Sequence, residues 1–255
     1  MLAKERQDII YEMIQSKGAV TTNALLEHFQ VSLETIRRDL QQMERSGLLT
    51  RVHGGAVASG GMKSFRRLTE RNLENNDEKR KLACKAAEFV QEGDIIGLDS
   101  GSTSIYLAEV LKERFSRLTV VTHSTDVFEV LRSHREFSVI LCGGYYLKEE
   151  NAFCGPLTLK MLEMLHVQKV FIAVTALSLE FGICDYHREL YAVQQKLMQC
   201  ADSVFFIADS SKFEKRALLK LDDMRREYCY ITDDQLSEEL RRLYAENDIR
   251  LYIGQ

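Results

Sequence analysis

Residues 31 to 57 read VSLETIRRDLQQMERSGLLTRVHGGAV, and the middle of that stretch decides how the N-terminal third of the chain folds. At ~100° per residue, Leu33, Ile36, Leu40 and Met43 fall on one stripe. Glu34, Arg38, Gln41 and Arg45 point away from it, and Arg37 lies on the flank. Ser32 suits the N-cap and Gly47 the stop, so the spacing predicts a helix between them. After Gly47 the segment LLTRVHGGAV gives two short extended pieces around a His-Gly-Gly turn, the pattern of a hairpin.

Toward the N-terminus, RQDIIYEMIQSKG sets Ile9, Ile10, Met13 and Ile14 on one helical face and ends at Gly18, a C-cap. TTNALLEHF, with Thr21 or Thr22 as N-cap, buries Leu25, Leu26 and Phe29 over about two turns. Two helices joined by the few residues QVS, the second presenting basic side chains from its first turns, form a helix-turn-helix, and the hairpin behind them makes a wing. In that arrangement Arg37 and Arg38 enter the DNA major groove, where a guanidinium bridges phosphates or reads a guanine edge. An amphipathic helix with solvated arginines would carry the same charges, but the succession of helix, turn, helix and glycine wing argues against it.

TIRRDLQQME followed by RVHGGA closely resembles the winged helix-turn-helix of the DeoR family of bacterial sugar-operon repressors. The resemblance implies base or phosphate contacts from Ser32, Thr35, Arg37 and Arg38, with Arg51 and His53 of the wing near the backbone or minor groove.

The whole chain bounds the rest. At 255 residues it exceeds the usual size of one domain, so two are expected. No apolar run approaches the ~18 to 20 residues of a membrane span, and MLAKERQDII lacks the apolar segment of a signal peptide, which points to a cytoplasmic protein without membrane contact. The six cysteines form no CxxC pair, so neither a zinc site nor a disulfide scaffold is expected, and no cofactor or metal is called for. Charge is divided unevenly. Residues 1 to 81 hold 14 Lys or Arg against 11 Asp or Glu, while residues 82 to 255 hold 20 against 27, confining positive charge to the segment with the paired arginines.

Residues 58 to 76 lose periodicity and gather Gly, Ser, Asn and charge, so they read as a linker, partly helical toward its end. The boundaries are therefore a winged helix-turn-helix over residues 1–57, a linker over 58–76 and a larger domain over 77–255. In the last, the apolar runs DIIGLD, RLTVVT, FSVILCGG, KVFIAVT, SVFFIAD, EYCYIT and IRLYI alternate with helical stretches around 79–91, 104–114, 125–133, 157–165, 187–201 and 234–246. Such alternation predicts an open, largely parallel sheet of Rossmann-like α/β type covered by helices.

Ligands of such sheets bind beyond the carboxyl ends of the strands. DSGST (Asp99, Ser100, Gly101, Ser102, Thr103) runs from a strand into a helix, which suits a phosphate or other anion, although an ordinary Ser or Thr N-cap would look the same. Gly143 and Gly144 after a strand allow either a ligand or a neighbouring backbone to come close, or simply make a tight turn. Lys212 after IADSS either reaches a phosphate or is solvated. Neither GxGxxG nor GxxxxGK[ST] is present, which disfavours dinucleotides and nucleoside triphosphates.

The order DSGST, VVTHS, GGYY…GP, IADSSKF resembles the sugar-phosphate-sensing domain of the same DeoR family, a domain similar in fold to ribose-5-phosphate isomerase. That resemblance implies a phosphorylated sugar or polyol bound by Asp99, Ser100, Gly101, Ser102, Thr103, Gly143, Gly144 and Lys212. Two departures mark the sugar end. Thr175-Ala176-Leu177-Ser178 replaces a Gly-x-Asp-Gly turn, and Gln194 stands where lysine is common. Tyr145, Asp185, His187 and Glu189 are the candidates for recognising the ligand there.

The expected function is a DNA-binding transcriptional repressor of a carbohydrate-utilisation operon, controlled by that effector and acting as a homo-oligomer, dimer or tetramer, without catalysis. Two rivals remain: a sugar-phosphate isomerase-like enzyme carrying a DNA-binding head, with Asp99, Asp185 and Glu189 as acid/base groups, and a DNA binder whose pocket no longer works.

Overall fold

The computed structural model describes residues 3–17, 19–45, 48–52, 54–57, 68–71 and 75–255, in two compact units, Met1–Phe65 and Arg66–Gln255. The expectations for Gly18, Gly47 and His53, for the side chain of Arg45 and for most of the linker lie outside the described residues.

The first unit runs α1 (Ala3–Lys17), β1 (Ala19–Thr21), α2 (Thr22–Phe29), α3 (Leu33–Arg45), β2 (Thr50–Val52) and β3 (Gly55–Val57). Ile10, Ile14, Leu25, Ile36, Leu40, Met43 and Leu49 close into one core. Thr21 caps α2 by accepting from Ala24 N, and Gln30 leaves it in the left-handed region with φ 52°, which turns the chain toward α3. Ser32 Oγ caps α3 through the Thr35 N–H at 3.2 Å. Leu33 departs from expectation: it is 42 % exposed. As the first residue of α3 it precedes the turn at which the stripe meets the core, so burial begins at Ile36. The hairpin β2–β3 forms as expected, but the sheet has a third strand, order β1-β3-β2, because β1 pairs antiparallel with β3.

The second unit begins with α4 (Leu68–Arg71) and α5 (Asn76–Ala87) and continues β4 (Ile95–Leu98), α6 (Ser102–Arg114), β5 (Thr119–Thr122), α7 (Thr125–Leu131) and β6 (Ser138–Leu141). It then runs β7 (Tyr145–Leu147), β8 (Ala152–Cys154), α8 (Pro156–Glu163), β9 (Val167–Ala173), β10 (Ala176–Ser178), β11 (Gly182–Asp185) and α9 (Arg188–Gln199). The last elements are β12 (Ala201–Ile207), β13 (Leu219–Asp222), β14 (Cys229–Asp233), α10 (Glu238–Glu246) and β15 (Leu251–Gly254).

All seven apolar runs singled out in the sequence enter one sheet, ordered β15-β14-β12-β9-β4-β5-β6, with every pairing parallel. Alternation along a strand divides its side chains between two cores. Val170 and Ile172 of β9, with Val204 and Phe206 of β12, pack against Leu162 of α8 and Leu190, Val193 and Leu197 of α9. Phe171, Phe205 and Ile207 face the other way, toward Leu82 of α5, Leu107 and Leu111 of α6, and Val127 and Leu131 of α7. Helices thus cover both faces, which is why these strands read as continuous apolar runs. The short antiparallel pairs β7–β8, β10–β11 and β11–β13 were not expected and lie apart from this sheet.

Strand order reverses between β4 and β9, because the chain proceeds from β4 through β5 to β6 on one side and from β9 to β12 on the other. A crevice opens at the carboxyl ends of the two strands at such a switch point. Asp99 follows β4, and Val174 and Thr175 follow β9.

Candidate functional site

In the first unit the exposed side of α3 carries Glu34, Arg37, Arg38 and Gln41 opposite the buried Ile36, Leu40 and Met43. The same helix turns Asp39 inward, where its Oδ2 accepts from Arg6 Nε at 2.6 Å and its Oδ1 from Gln7 Nε2 at 3.2 Å. Only Arg37 and Arg38 of the helix's described basic groups are thereby left outward. Ser32 and Thr35 share a hydroxyl–hydroxyl bond of 2.8 Å, so both are first of all parts of the helix start. Arg51 is half-committed: Glu44 Oε1 accepts its backbone N–H at 3.0 Å and Glu44 Oε2 stands 3.9 Å from its guanidinium. An exposed guanidinium pair on a helix flanked by a three-stranded wing has the chemistry to meet phosphates and base edges.

In the second unit the sequence left open whether DSGST is an anion cradle or an ordinary cap. The N-cap of α6 is Gly101, and no side chain caps the helix. Its φ of 117° is open only to glycine, and an added Cβ would stand 3.4 Å from Ala173 Cβ of β9. The first N–H groups of α6 are therefore not taken by a cap and lie at the switch point, where the helix dipole favours negative charge. Ser100, Ser102, Thr103 and Ser104 surround them, all buried.

One cationic group that sequence reading missed borders this turn. Arg71, at the end of α4, brings Nη1 within 3.9 Å of where a Cβ on Gly101 would stand, and its buried Nε has no hydrogen-bond partner among the described residues. Its Nη2 donates to Glu150, a carboxylate almost wholly buried, and its carbonyl accepts from the buried Lys79. His187 Nε2 lies 2.9 Å from Glu150 on the other side. Burial pushes the Glu150 carboxyl up, but His187 and Arg71 outweigh it and hold the group below its ordinary range.

The acidic candidates Asp99 and Asp185 meet through the departing residue of α9. Gln194 Nε2 donates to Asp99 Oδ2 and to Asp185 Oδ2, both at 3.0 Å. His123, which follows β5, places Nε2 2.9 Å from Asp99 Oδ1. Thr175 Oγ1 donates to Asp185 Oδ1 at 2.9 Å, so the altered turn after β9 also enters the network. Burial raises Asp185 above the usual carboxylate range, against the hydrogen bonds from Gln194 and Tyr186 N–H.

The remaining candidates are scattered. Lys212 Nζ stands 3.8 Å from Asp209 Oδ2, after β12, the strand beside β9. At Gly144 the close neighbour is the chain itself, since a Cβ would lie 2.2 Å from Thr158 Oγ1 of α8, whereas Gly143 faces open space. Tyr145 is 69 % exposed and Glu189 is exposed, and the hydrogen bonds that join Asp99, Asp185 and Gln194 do not include them. His123 was legible by the rule already applied, because it stands just after a strand. Arg71 and Glu150 carry no comparable signal, lying in segments without periodicity.

Among the described residues no cluster of three or more His, Cys, Asp or Glu could hold a metal ion, and no helix is long and apolar enough to cross a membrane.

Known proteins accord with both halves. Residues 6–60 match the model of the DeoR-like helix-turn-helix domain, and residues 74–234 that of the DeoR C terminal sensor domain. The chain is 34 % identical to the uncharacterized HTH-type transcriptional regulator YulB of Bacillus subtilis, over 92 % of this chain and 91 % of that protein. It is 31 % identical to the L-fucose operon activator of Haemophilus influenzae, over 96 % and 97 %. It is 30 % identical to the lactose phosphotransferase system repressor of Lactococcus lactis, over 94 % of each. Likeness to solved structures is remote: ribose 5-phosphate isomerase A of Neisseria gonorrhoeae aligns over 56 % of each chain at 19 % identity with a TM-score of 0.42. The translation initiation factor eIF-2B of Pyrococcus horikoshii aligns over 88 % of this chain and 71 % of its own at 17 % identity, with a TM-score of 0.40. Neither is close enough for any property to pass to this chain. The chain itself, by the two family models and by relatives matched along nearly their whole length, belongs to the DeoR family of helix-turn-helix transcriptional regulators.

Proposed function

We propose that the protein represses a carbohydrate-utilisation operon and releases or alters its grip on DNA when a phosphorylated sugar or polyol occupies the crevice between β4 and β9. Residues 1–57 act as the DNA-binding head, residues 58–76 as the connection, and residues 77–255 as the effector-sensing and oligomerising body. Ser32, Thr35, Arg37, Arg38, Arg51 and His53 contact operator DNA. The observation that carries the effector reading is the uncapped start of α6 behind Gly101, with the Arg71 guanidinium beside it. Asp99, Ser100, Ser102, Thr103 and Lys212 complete that end, and Asp185 and His187 serve the carbon skeleton, with Tyr145, Gly143, Gly144 and Glu189 at its rim. The names of the fucose and lactose regulators, an activator and a repressor of sugar genes, support the substrate class.

Regulation of this kind needs only that effector bind two arrangements of the protein with different free energies. We infer a cytoplasmic homo-oligomer, dimer or tetramer, because helix-turn-helix heads gain affinity by pairing on repeated half-sites. Catalysis is not part of the reading: of the acid/base candidates of an isomerase, Asp99 and Asp185 are hydrogen-bonded by His123, Gln194 and Thr175, and Glu189 is exposed outside that network. The test is fluorescence anisotropy with duplex from the gene's own promoter, alone and with sugar and polyol phosphates, beside thermal denaturation. An effector at ~100 times its dissociation constant adds ~2.7 kcal/mol of stability. Absence of any shift with any phosphate ester would favour a DNA binder with an inactive pocket, and turnover of ribose 5-phosphate would favour the enzyme.

A further inference from the structure

Asp99 and Asp185 converge on a single amide nitrogen. Gln194 gives one hydrogen to each carboxyl, and its Oε1 is buried without a hydrogen-bond partner among the described residues. An amide carbonyl has two lone pairs, so a built acceptor is left unfilled in a nearly wholly buried side chain.

The two carboxyls differ in their other neighbours. His123 Nδ1 lies 2.9 Å from the Phe153 carbonyl, which can only accept, so that nitrogen bears hydrogen. The contact of Nε2 with Asp99 Oδ1 then needs one proton more, on the ring or on the carboxyl, and in either case the pair is electrically neutral. Asp185 receives uncharged donors: Thr175 Oγ1, the Tyr186 N–H at 2.6 Å, and Gln194. His187 beside it lies against Glu150, which Arg71 also holds. Across the strand pair Leu219 is opposite Asp185, and Lys220 of the same strand bonds Asp223. A buried carboxylate with no cation of its own is costly, whereas the protonated acid is not. Burial and the neighbouring Asp99 raise the Asp185 carboxyl, and Gln194, the Tyr186 N–H and His187 only partly oppose them.

Resting on the effector-site reading above, we propose that Asp185 and Gln194 are the specificity-determining residues of the crevice and read the hydroxyls of an uncharged carbon skeleton, with Asp185 present as the neutral carboxylic acid. Its O–H donates to the ligand and the Gln194 carbonyl accepts from it, while the anionic end of the molecule rests at the start of α6. An ammonium group would find no counter-charge there, and a second carboxylate would meet the Gln194 carbonyl and Asp99. Both classes are excluded by an unmet polar partner rather than by size.

The experiment uses the full chain, calorimetric titration and five probes: ribose 5-phosphate, fructose 1-phosphate, glucosamine 6-phosphate, 6-phosphogluconate and inorganic phosphate. At least one of the first two should bind about tenfold or more tighter than the amino and carboxylate compounds. Asp185→Ala and Gln194→Lys should each lose about tenfold or more of that binding while still binding inorganic phosphate. Tightest binding of glucosamine 6-phosphate, abolished by Asp185→Asn, would overturn the proposal. A ligand-free arm separates it from the effector reading. Infrared difference spectra of wild type against Asp185→Asn at neutral pH should contain the C=O stretch of a protonated carboxylic acid, and its absence refutes the neutral acid whatever binds. Should Asp185→Asn fail to fold, the same band followed in wild type as pH rises decides the matter. If no probe binds but the band is present, the effector reading falls, and the specificity role with it, while the neutral acid stands.

Discussion

Replacing Arg71 by methionine removes a guanidinium from Glu150 while keeping most of the aliphatic stem. The Glu150 carboxyl is 2 % exposed and the Arg71 side chain 25 %, so the pair is screened far less than a surface one. Two unit charges 4 Å apart at an effective dielectric of 20 attract by ~4 kcal/mol, and the cost of drawing both out of water offsets part of it. His187 remains 2.9 Å from the carboxylate as a second partner. The expected loss for Arg71→Met is therefore about 2 kcal/mol, and a similar loss follows Glu150→Gln. In a double-mutant cycle by denaturant unfolding the two should fall short of additivity by about 1 to 2 kcal/mol. The folded-state carboxyl of Glu150 is depressed, so its contribution is present above the unfolded value and lost as pH falls through the folded one. The gap between wild type and Arg71→Met should thus be full at neutral pH and close below about pH 4. Additive losses, or a gap that widens in acid, would refute the reasoning. The same variant should lose the stabilisation by phosphate compounds, because the guanidinium borders the turn at Gly101.

Arg38→Ala should weaken specific binding to promoter duplex by about 1 to 3 kcal/mol if the arginine reads a base, or flatten the salt dependence by about one unit if it meets a phosphate. Unchanged affinity and unchanged slope in anisotropy titrations would leave it without a role. Gly101→Ala forces a side chain into φ 117° and toward Ala173, and should cost about 1 to 3 kcal/mol together with the effector response; an unaltered melting curve would contradict that backbone reading. Ile36 is fully buried under α3, so Ile36→Ala should cost the head about 2 to 5 kcal/mol and abolish DNA binding at growth temperature. Retained binding there would show that the head tolerates a cavity.

Seven parallel strands could be read from the sequence because a strand buried on both faces must be apolar at nearly every position, as VFIA and VFFI are. Apart from the wing hairpin, which its glycine turn marked, the three- and four-residue antiparallel strands could not, since AVT, YYL or ALS is too short to establish a period. Leu33 fitted the helical stripe and is nevertheless exposed, because an angular pattern says nothing about where along its length a helix first touches the core. At the crevice, Asp99 through Thr103 was legible from one contiguous turn. Two of its supports were not: Arg71 and the Glu150 it bonds come from segments without periodicity, 79 residues apart, a separation that no local motif encodes, whereas His123 stands in view just after a strand. Gln194 was visible only as a departure, and its meaning came from the two carboxyls it joins.

One pairing in the small unit has a mechanical consequence. The strand leading into α2 hydrogen-bonds to the far arm of the wing, and the Thr22 amide reaches the Gly54 carbonyl at 2.8 Å, at the tip of the same hairpin. A wing stitched to the first helix of the reading pair cannot swing to suit different grooves. Its distance from Arg37 and Arg38 is fixed, and an imperfect operator must be accommodated by deformation of the duplex, so sequences between the groove contacts should matter through their stiffness.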